Sequence, residues 1–275
     1  MTAPVQSTTI SRARLLATSA LVALFAMATA ACQTTQTADT TGSLAFGTAT
    51  RTDGDPRQNV LAWGERYRTQ PGNPQTAIGY AQALRANGQR SQAAAVLEQA
   101  SVQHPRDTEL LGAFGRALAD IGDYRRALEV LGRAHTPDQP DWRILSVEGA
   151  VLDQIGRHGD AQRYYAAALK IVPDEPSVLS NLGLSYALSK DLVQAEATLK
   201  RAAAAARADP RVRQNLALVV GLQGRFAEAE AIARADLPPD EAAANVAYLR
   251  QMLAEQSAGR KGATPAKPVA SAARS

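Results

Sequence analysis

The strongest constraint on the fold of this 275-residue chain is a repeat with a period of 34 residues. The pattern is clearest where small or apolar residues recur at three- and four-residue steps, from Leu179 to Tyr186 and again from Ala195 to Ala202. Such steps place apolar side chains on one face of a helix. Between the two runs, Ser189-Lys190-Asp191 ends the first helix and caps the second. The pattern therefore predicts a helical hairpin.

The same hairpin recurs in five copies along the chain without an insertion or a deletion. One position of the first helix holds only glycine or alanine, and one position of the second helix holds only alanine. These residues are Ala81, Gly115, Gly149, Gly183 and Ala217 in the first helices, and Ala93, Ala127, Ala161, Ala195 and Ala229 in the second helices. In four copies the turn carries a glycine at one phase (Gly88, Gly122, Gly156, Gly224), and Lys190 replaces it in the remaining copy.

The motif Leu182-Gly183-x2-Tyr186, followed by Ala195-x3-Leu199, resembles the tetratricopeptide repeat (TPR), which has the same period. The resemblance implies an all-α fold, a TPR solenoid of about five helical hairpins within residues 74–238. The hairpins are predicted at 74–103, 108–136, 142–172, 176–207 and 210–235. Because the two ends of such an array expose apolar surface, we expect capping helices at 56–71 and 239–256.

The N-terminal part has the pattern of an exported lipoprotein. Residues 1–31 carry two arginines, an apolar run and small residues, as in a signal peptide, and Cys32 follows as the only cysteine. This stretch resembles a bacterial lipobox, which implies lipidation of Cys32, and Gln33 after it implies export to the periplasmic face of the outer membrane. The alternative is ordinary cleavage that leaves a soluble protein with an N-terminal thiol. Residues 32–55 are predicted to be a disordered tether.

The charge distribution argues against a nucleic-acid-binding protein. The formal net charge is +4. Arg12 and Arg14 precede Cys32, and the predicted disordered tail 257–275 holds four basic residues and no acid, so the part between them is slightly acidic. A folded part without a basic surface excess is not expected to bind nucleic acid. The tail has either no role or a weak contact with anionic surfaces.

The sequence contains no recognisable catalytic, metal-binding or cofactor-binding motif. His104, His135 and His158 are scattered, and neither a phosphate-binding loop nor a nucleophile elbow is present. We therefore predict a protein that is not an enzyme, with no cofactor and no small-molecule substrate. Glu148 departs from the repeat pattern, because it occupies the position that corresponds to Leu182, on the face of the helix that packs inward. We expect it to reach the surface at the helix edge; the alternative is a buried carboxylate with an anomalous pKa.

A second stripe on the first helices lies about 130° from the inward one and lines the concave groove in TPR arrays. In the first three hairpins this stripe is polar, with Gln75, Gln82, Arg85, Glu109, Arg116, Arg143 and Asp153. In the last two hairpins it is apolar when the neighbouring position is counted as well, with Leu184, Ala187, Leu188, Leu218 and Leu222. We expect Leu184, Leu188, Leu218 and Leu222 to anchor a peptide that Arg85, Arg116 and Arg143 orient. The alternative is that the final helix covers some of these leucines.

Beyond the repeats, the chain resembles the TadD-type TPR lipoproteins of the tight-adherence (Flp) pilus assembly system. The resemblance rests on the lipoprotein signal, the tether and the stretches Trp63–Tyr67, Tyr80–Gly88 and Asn245–Leu253. It implies a pilotin-like assembly factor that binds the pilus secretin or an associated export component. Two alternatives stay open: a lipoprotein scaffold for β-barrel insertion or cell-wall enzymes, and a subunit or regulator of an enzyme.

Overall fold

A computed structural model describes residues 55–205 and 209–262 of the chain. The described part contains twelve α-helices and no β-strand. The helices are α1 (Pro56–Thr69), α2 (Pro74–Ala86), α3 (Arg90–Gln103), α4 (Thr108–Asp120), α5 (Tyr124–Leu131), α6 (Trp142–Gln154), α7 (His158–Ile171), α8 (Pro176–Leu188), α9 (Leu192–Ala204), α10 (Pro210–Leu222), α11 (Phe226–Ala233) and α12 (Pro239–Gly262). The predicted signal peptide, Cys32, the tether and the tail beyond Gly262 lie outside the described residues.

The helices pack in chain order as five hairpins, which are α2–α3, α4–α5, α6–α7, α8–α9 and α10–α11. Each second helix also packs against the first helix of the next hairpin. In addition, the first helices of consecutive hairpins contact each other, from α2 to α4 and onward to α10. The first helices therefore line the more closely packed, inner wall of the array. The predicted TPR solenoid is confirmed.

Local chemistry explains where the hairpins begin and turn. At the first helices, the side chains of Asn73, Asp107, Asp141, Glu175 and Asp209 accept hydrogen bonds from backbone N–H groups of the first turn. Such caps satisfy donors that have no partner within the helix. The turn glycines have φ angles of 76° to 83°, and Lys190 has a φ of 69° at the same phase. This left-handed conformation suits glycine and strains lysine.

Close approach of the two helices of a hairpin explains the small residues of the repeat. A Cβ atom built on Gly115 would lie 2.4 Å from Leu131 Cγ, and one built on Gly183 would lie 2.6 Å from Leu199 Cγ. At Gly149 the neighbour is the ring of Tyr165, at 2.8 Å. Each glycine of the first helix thus accommodates a large side chain of the second helix.

Helix α6 joins two clusters of the hydrophobic core. Ile144, Val147 and Val151 pack into the cluster that is formed with the first two hairpins. Leu145 and Leu152 pack into the cluster that continues through α7 and α8. Every residue of α6 from Ile144 to Asp153 is buried. The N-terminal and C-terminal halves of the array therefore meet at this helix.

The two ends of the array differ in how they pack. Helix α1 has no fully buried residue, and its Trp63 lies against Gly79 of α2. Helix α12 buries Ala242, Val246 and Leu249. The sequence predicted that this last helix ends at Gln256, and this boundary is wrong because the helix continues to Gly262. Residues 257–262 contain no proline, and the helix formers Ala258, Arg260 and Lys261 allow the helix to continue past Gly259.

Candidate peptide-binding groove

The seven groove residues predicted from the sequence all lie on first helices, along the inner wall of the array. Arg85 is on α2, Arg116 on α4 and Arg143 on α6, whereas Leu184 and Leu188 are on α8 and Leu218 and Leu222 are on α10. The charged and the apolar residues therefore occupy different halves of the wall. We call them the arginine end and the leucine end.

At the leucine end, all four leucines are half-buried. Leu179 of the inward stripe, in contrast, is fully buried. Leu184 and Leu188 are one helical turn apart, as are Leu218 and Leu222 on the adjacent, contacting helix α10. Helix α12 packs nearby, where Leu249 lies against Gly221. The four leucines form two short apolar ridges on neighbouring helices that are partly open to solvent.

Two residues that the sequence placed on the groove stripe are in fact buried, so this expectation is wrong for them. Ala187 is 1% exposed, and Asp153 is 7% exposed. Asp153 accepts a hydrogen bond from Ser185 of α8 at 2.8 Å. Helix α8, the first helix of the next hairpin, therefore covers Asp153. The open groove is narrower than the sequence pattern predicted.

At the arginine end, side chains connect neighbouring first helices. Arg85 of α2 forms an ion pair with Asp120 of α4, in which both side chains are largely buried. On the same two helices, Gln75 Nε2 donates to Glu109 Oε2 at 2.8 Å. These contacts hold α2 and α4 together along the wall. The predicted role of Arg85 in orienting a peptide therefore competes with a contact inside the array.

Arg116 lies at the centre of this end. The pKa of its guanidinium is lowered to about 10, mainly by burial and next by the charge of Arg85, while Asp120 and Asp141 oppose the shift. Arg143 also lowers this pKa. The structure therefore brings the three predicted arginines within electrostatic reach of one another. Arg143 is exposed, and its guanidinium carbon lies 4.7 Å from the centre of the Trp142 ring.

Sequence reasoning missed a buried ionisable pair at α6. Glu148 is 3% exposed, so the expectation that it reaches the surface is wrong. His135 Nε2 donates to Glu148 Oε2 at 2.9 Å. Burial raises the pKa of Glu148, and the charge and hydrogen bond of His135 oppose that shift. His135 lies in the long connection between α5 and α6, outside the repeated pattern, so no periodic signal pointed to it.

A second buried carboxylate on α6 is the centre of a polar network. Asp153 accepts hydrogen bonds from His158 Nδ1 at 2.8 Å, from Ser185 Oγ at 2.8 Å and from Tyr165 Oη at 3.1 Å. Burial raises the pKa of Asp153, and these hydrogen bonds oppose the shift. The network ties α6 to α7 and α8.

The described residues also bear on metal binding, membrane crossing and other clefts. No group of three or more His, Cys, Asp or Glu side chains within 55–205 and 209–262 is arranged to hold a metal ion. None of the described helices has the length and hydrophobicity that crossing a bilayer requires. An open cleft of about 570 Å³ lies between α11 and α12 and includes Phe226, Val246 and Arg250. This cleft is a second apolar surface, and none of the predicted groove residues lines it.

Comparisons with known proteins agree with the helical hairpins. The family model for the tetratricopeptide repeat matches residues 155–219. The model described as anaphase-promoting complex, cyclosome, subunit 3 matches residues 57–134. No curated protein matches the chain.

Several solved structures share the fold. A thermophilic TPR protein of Thermus thermophilus is 25% identical with a TM-score of 0.55, and the alignment covers 66% of this chain and all of the other. PilW, a type IV pilus biogenesis factor, is 18% identical with a TM-score of 0.60, over 70% of this chain and 90% of PilW. Pseudomonas aeruginosa PilF is 16% identical with a TM-score of 0.51, over 66% of this chain and 82% of PilF. The chain thus has the tetratricopeptide-repeat solenoid fold, a fold that serves as a protein-interaction scaffold.

Proposed function

We propose that this chain is a pilotin-like assembly factor for the tight-adherence (Flp) pilus, anchored to the outer membrane through Cys32. In this role it holds a segment of the pilus secretin or of an associated export component. The observation that carries the proposal is the pair of half-buried leucine ridges on α8 and α10, beside a charged end on the same wall. The fold shared with the pilus biogenesis factor PilW is consistent with this role.

The leucine end suits the apolar face of a partner segment. Side chains four residues apart form a ridge on one helix face, and two parallel ridges match the anchors of a helical or extended peptide. Fully burying an exposed leucine contributes about 1.5–3 kcal/mol. Because most of each of the four leucines is already buried, closing over them contributes at most about a third of that, or about 2–4 kcal/mol in total.

Leucine burial alone does not account for stable retention of a partner. A micromolar complex requires about 8 kcal/mol of net binding free energy. Association and ordering cost several kcal/mol in addition. The arginine end therefore has to contribute affinity as well as orientation, through contacts with acidic groups of the partner. The expected complex is weak enough to dissociate once assembly is complete.

The lipid anchor determines where this binding occurs. In the proposed arrangement the acylated Cys32 holds the chain at the membrane, and residues 33–55 act as a flexible tether. A coil of this length has a root-mean-square span of about 25–30 Å. The array would then meet a secretin subunit near the periplasmic face of the outer membrane, before the subunit assembles.

The test of this function is the amount of assembled secretin in cells. We expect secretin multimers in the outer membrane to decrease when the chain is deleted, when Cys32→Ser replaces it, and when it carries Leu184→Glu with Leu188→Glu. Val193→Glu is the matched control, because Val193 is 73% exposed at the start of α9 in the same hairpin. The control is expected to behave as the wild type, and circular dichroism should show equal helical content for all variants.

Two outcomes would contradict the proposal. Unchanged secretin multimers after deletion would exclude the pilus role. If β-barrel proteins or cell-wall enzymes decreased instead, the alternative scaffold role would replace it.

A further inference from the structure

Helix α6 carries two buried carboxylates, and each is paired with an imidazole from a flanking segment. Glu148 is 3% exposed and Asp153 is 7% exposed. His135 Nε2 lies 2.9 Å from Glu148 Oε2, and His158 Nδ1 lies 2.8 Å from Asp153 Oδ1. Buried ionisable groups are costly unless they are paired, so their protonation is coupled to the structure around them.

The two pairs lie where the halves of the array meet. His135 precedes α6, in the connection that follows the second hairpin, and His158 is the first residue of α7. Ser185 extends the second network to α8 through its hydrogen bond to Asp153. Each carboxylate therefore fastens α6 to one flank, and α6 itself is shared by the two core clusters.

The titratable groups that face these carboxylates come from the connection before α6 and from α7. His135 faces Glu148, and the charge of Glu148 contributes to the raised pKa of Tyr164 on α7. His158 and Tyr165, both on α7, face Asp153. Burial is the largest influence on both carboxylates, and it raises both pKa values despite the histidines.

We propose that α6 is a proton-sensitive joint, whose contacts with the flanking hairpins become stronger on mild acidification. A carboxylate whose pKa is higher in the folded than in the unfolded chain binds more protons when folded. Its stabilising effect is complete below the unfolded pKa, about 4, and is lost as the pH rises through the folded pKa. Glu148 and Asp153 therefore act in the same direction. Since α6 carries Arg143 of the arginine end and contacts α8 of the leucine end, pH would set how firmly the two ends of the groove are held together.

Above a pH of about 5.5, the stabilising effect of Glu148 and Asp153 can be separated from that of acids whose pKa values are lowered. Glu196 has a pKa lowered to about 2 by its hydrogen bonds, first of all with Lys200. The pKa of Asp236 is lowered by Arg213. Acids with depressed pKa values lose their stabilising effect only below the unfolded pKa of about 4. They stay ionised above pH 5.5 and do not counteract the stabilisation that comes from protonation of Glu148 and Asp153.

The test is the melting temperature of the full chain in detergent at pH 7.5 and pH 5.5. We expect the wild type to melt at a higher temperature at pH 5.5 than at pH 7.5, because the folded chain takes up protons at Glu148 and Asp153 before the unfolded chain does. Glu148→Gln with Asp153→Asn should abolish the rise, because both side chains are then neutral throughout. Glu196→Gln is the matched control and should keep the rise. A wild-type melting temperature that is constant or falls on acidification would overturn the proposal, as would a rise that persists in the double variant.

Hydrogen exchange of the wild type gives a second measurement that does not depend on the variants folding. After correction for intrinsic rates, amides of 132–158 should become more protected at pH 5.5 than at pH 7.5, and those of α3 should not. Equal changes in both segments, or none in 132–158, would contradict a joint at α6.

Discussion

Gly149→Ala tests the packing of the array at a glycine that faces a buried aromatic ring. A Cβ at this position would lie 2.8 Å, 2.9 Å and 3.0 Å from three ring atoms of Tyr165. The ring has little room to move, because Tyr165 is 1% exposed and its hydroxyl donates to Asp153 at 3.1 Å. In other repeats alanine occupies this phase, but Ala81 faces the smaller Leu97 position and not a tyrosine.

Two opposing contributions determine how much Gly149→Ala changes the free energy of unfolding. Overpacking a dense core costs about 1–3 kcal/mol. Replacing glycine by alanine inside a helix contributes about 1 kcal/mol in the opposite direction. We therefore expect Gly149→Ala to lower the free energy of unfolding by about 1 kcal/mol, and the melting temperature by about 2–4 °C.

The assay is thermal unfolding followed by circular dichroism, with two comparisons. Gly159→Ala is the matched control, because a Cβ there would have no neighbour within 4 Å, and we expect it to be neutral or stabilising. Combining Gly149→Ala with Tyr165→Leu should give less destabilisation than the sum of the single changes, because the leucine relieves the clash. Strict additivity, or an unchanged melting temperature for Gly149→Ala, would refute the account of helix packing.

Three further predictions concern the array and its anchor. Lys190→Gly should raise the stability by about 0.5–1 kcal/mol in denaturant unfolding, because the left-handed φ of 69° strains lysine; a loss of stability would contradict this. Ala161→Leu should cost about 1–3 kcal/mol, since Ala161 is fully buried between helices, and a wild-type melting temperature would mean that this contact is not tight. Cys32→Ser should abolish fatty-acid labelling and release the protein from the membrane fraction, and unchanged labelling would exclude lipidation at Cys32.

The repeated features of the fold could be predicted from the sequence because each of them recurs at one phase. The left-handed turn is an example: four glycines marked it, and Lys190 adopts the same conformation in the fourth copy. Small residues such as Gly115 were likewise explained by one contact repeated along the array. A residue type that recurs at the same position in every copy can be distinguished from chance even in a single sequence.

Features that belong to one copy could not be predicted in this way. Glu148 looked like a misplaced surface residue, because its partner His135 lies in a connection without a periodic counterpart. Asp153 shared the phase of the groove stripe, but the sequence did not show that Ser185 of the next hairpin would cover it. In both cases the deciding interaction joins two unlike repeats, so the pattern within a repeat carried no information about it.

The placement of the groove residues was derived from phase alone, and their function stays a prediction. Leu184 and Arg116 lie on the inner wall as the phase required. How much of each side chain is open to a partner depends on packing between hairpins, which differs from one repeat to the next.

Site-specific photo-crosslinking in the cell envelope tests most directly whether the groove holds the partner. A photoreactive residue at Leu188 would lie on the wall at the leucine end, and one at Val193 would lie at the exposed start of α9 in the same hairpin. We predict a crosslink to the secretin or to an associated pilus component from position 188 and none from position 193. A crosslink from Val193 alone, or from Phe226 in the cleft between α11 and α12 without one from Leu188, would contradict a partner bound in the groove.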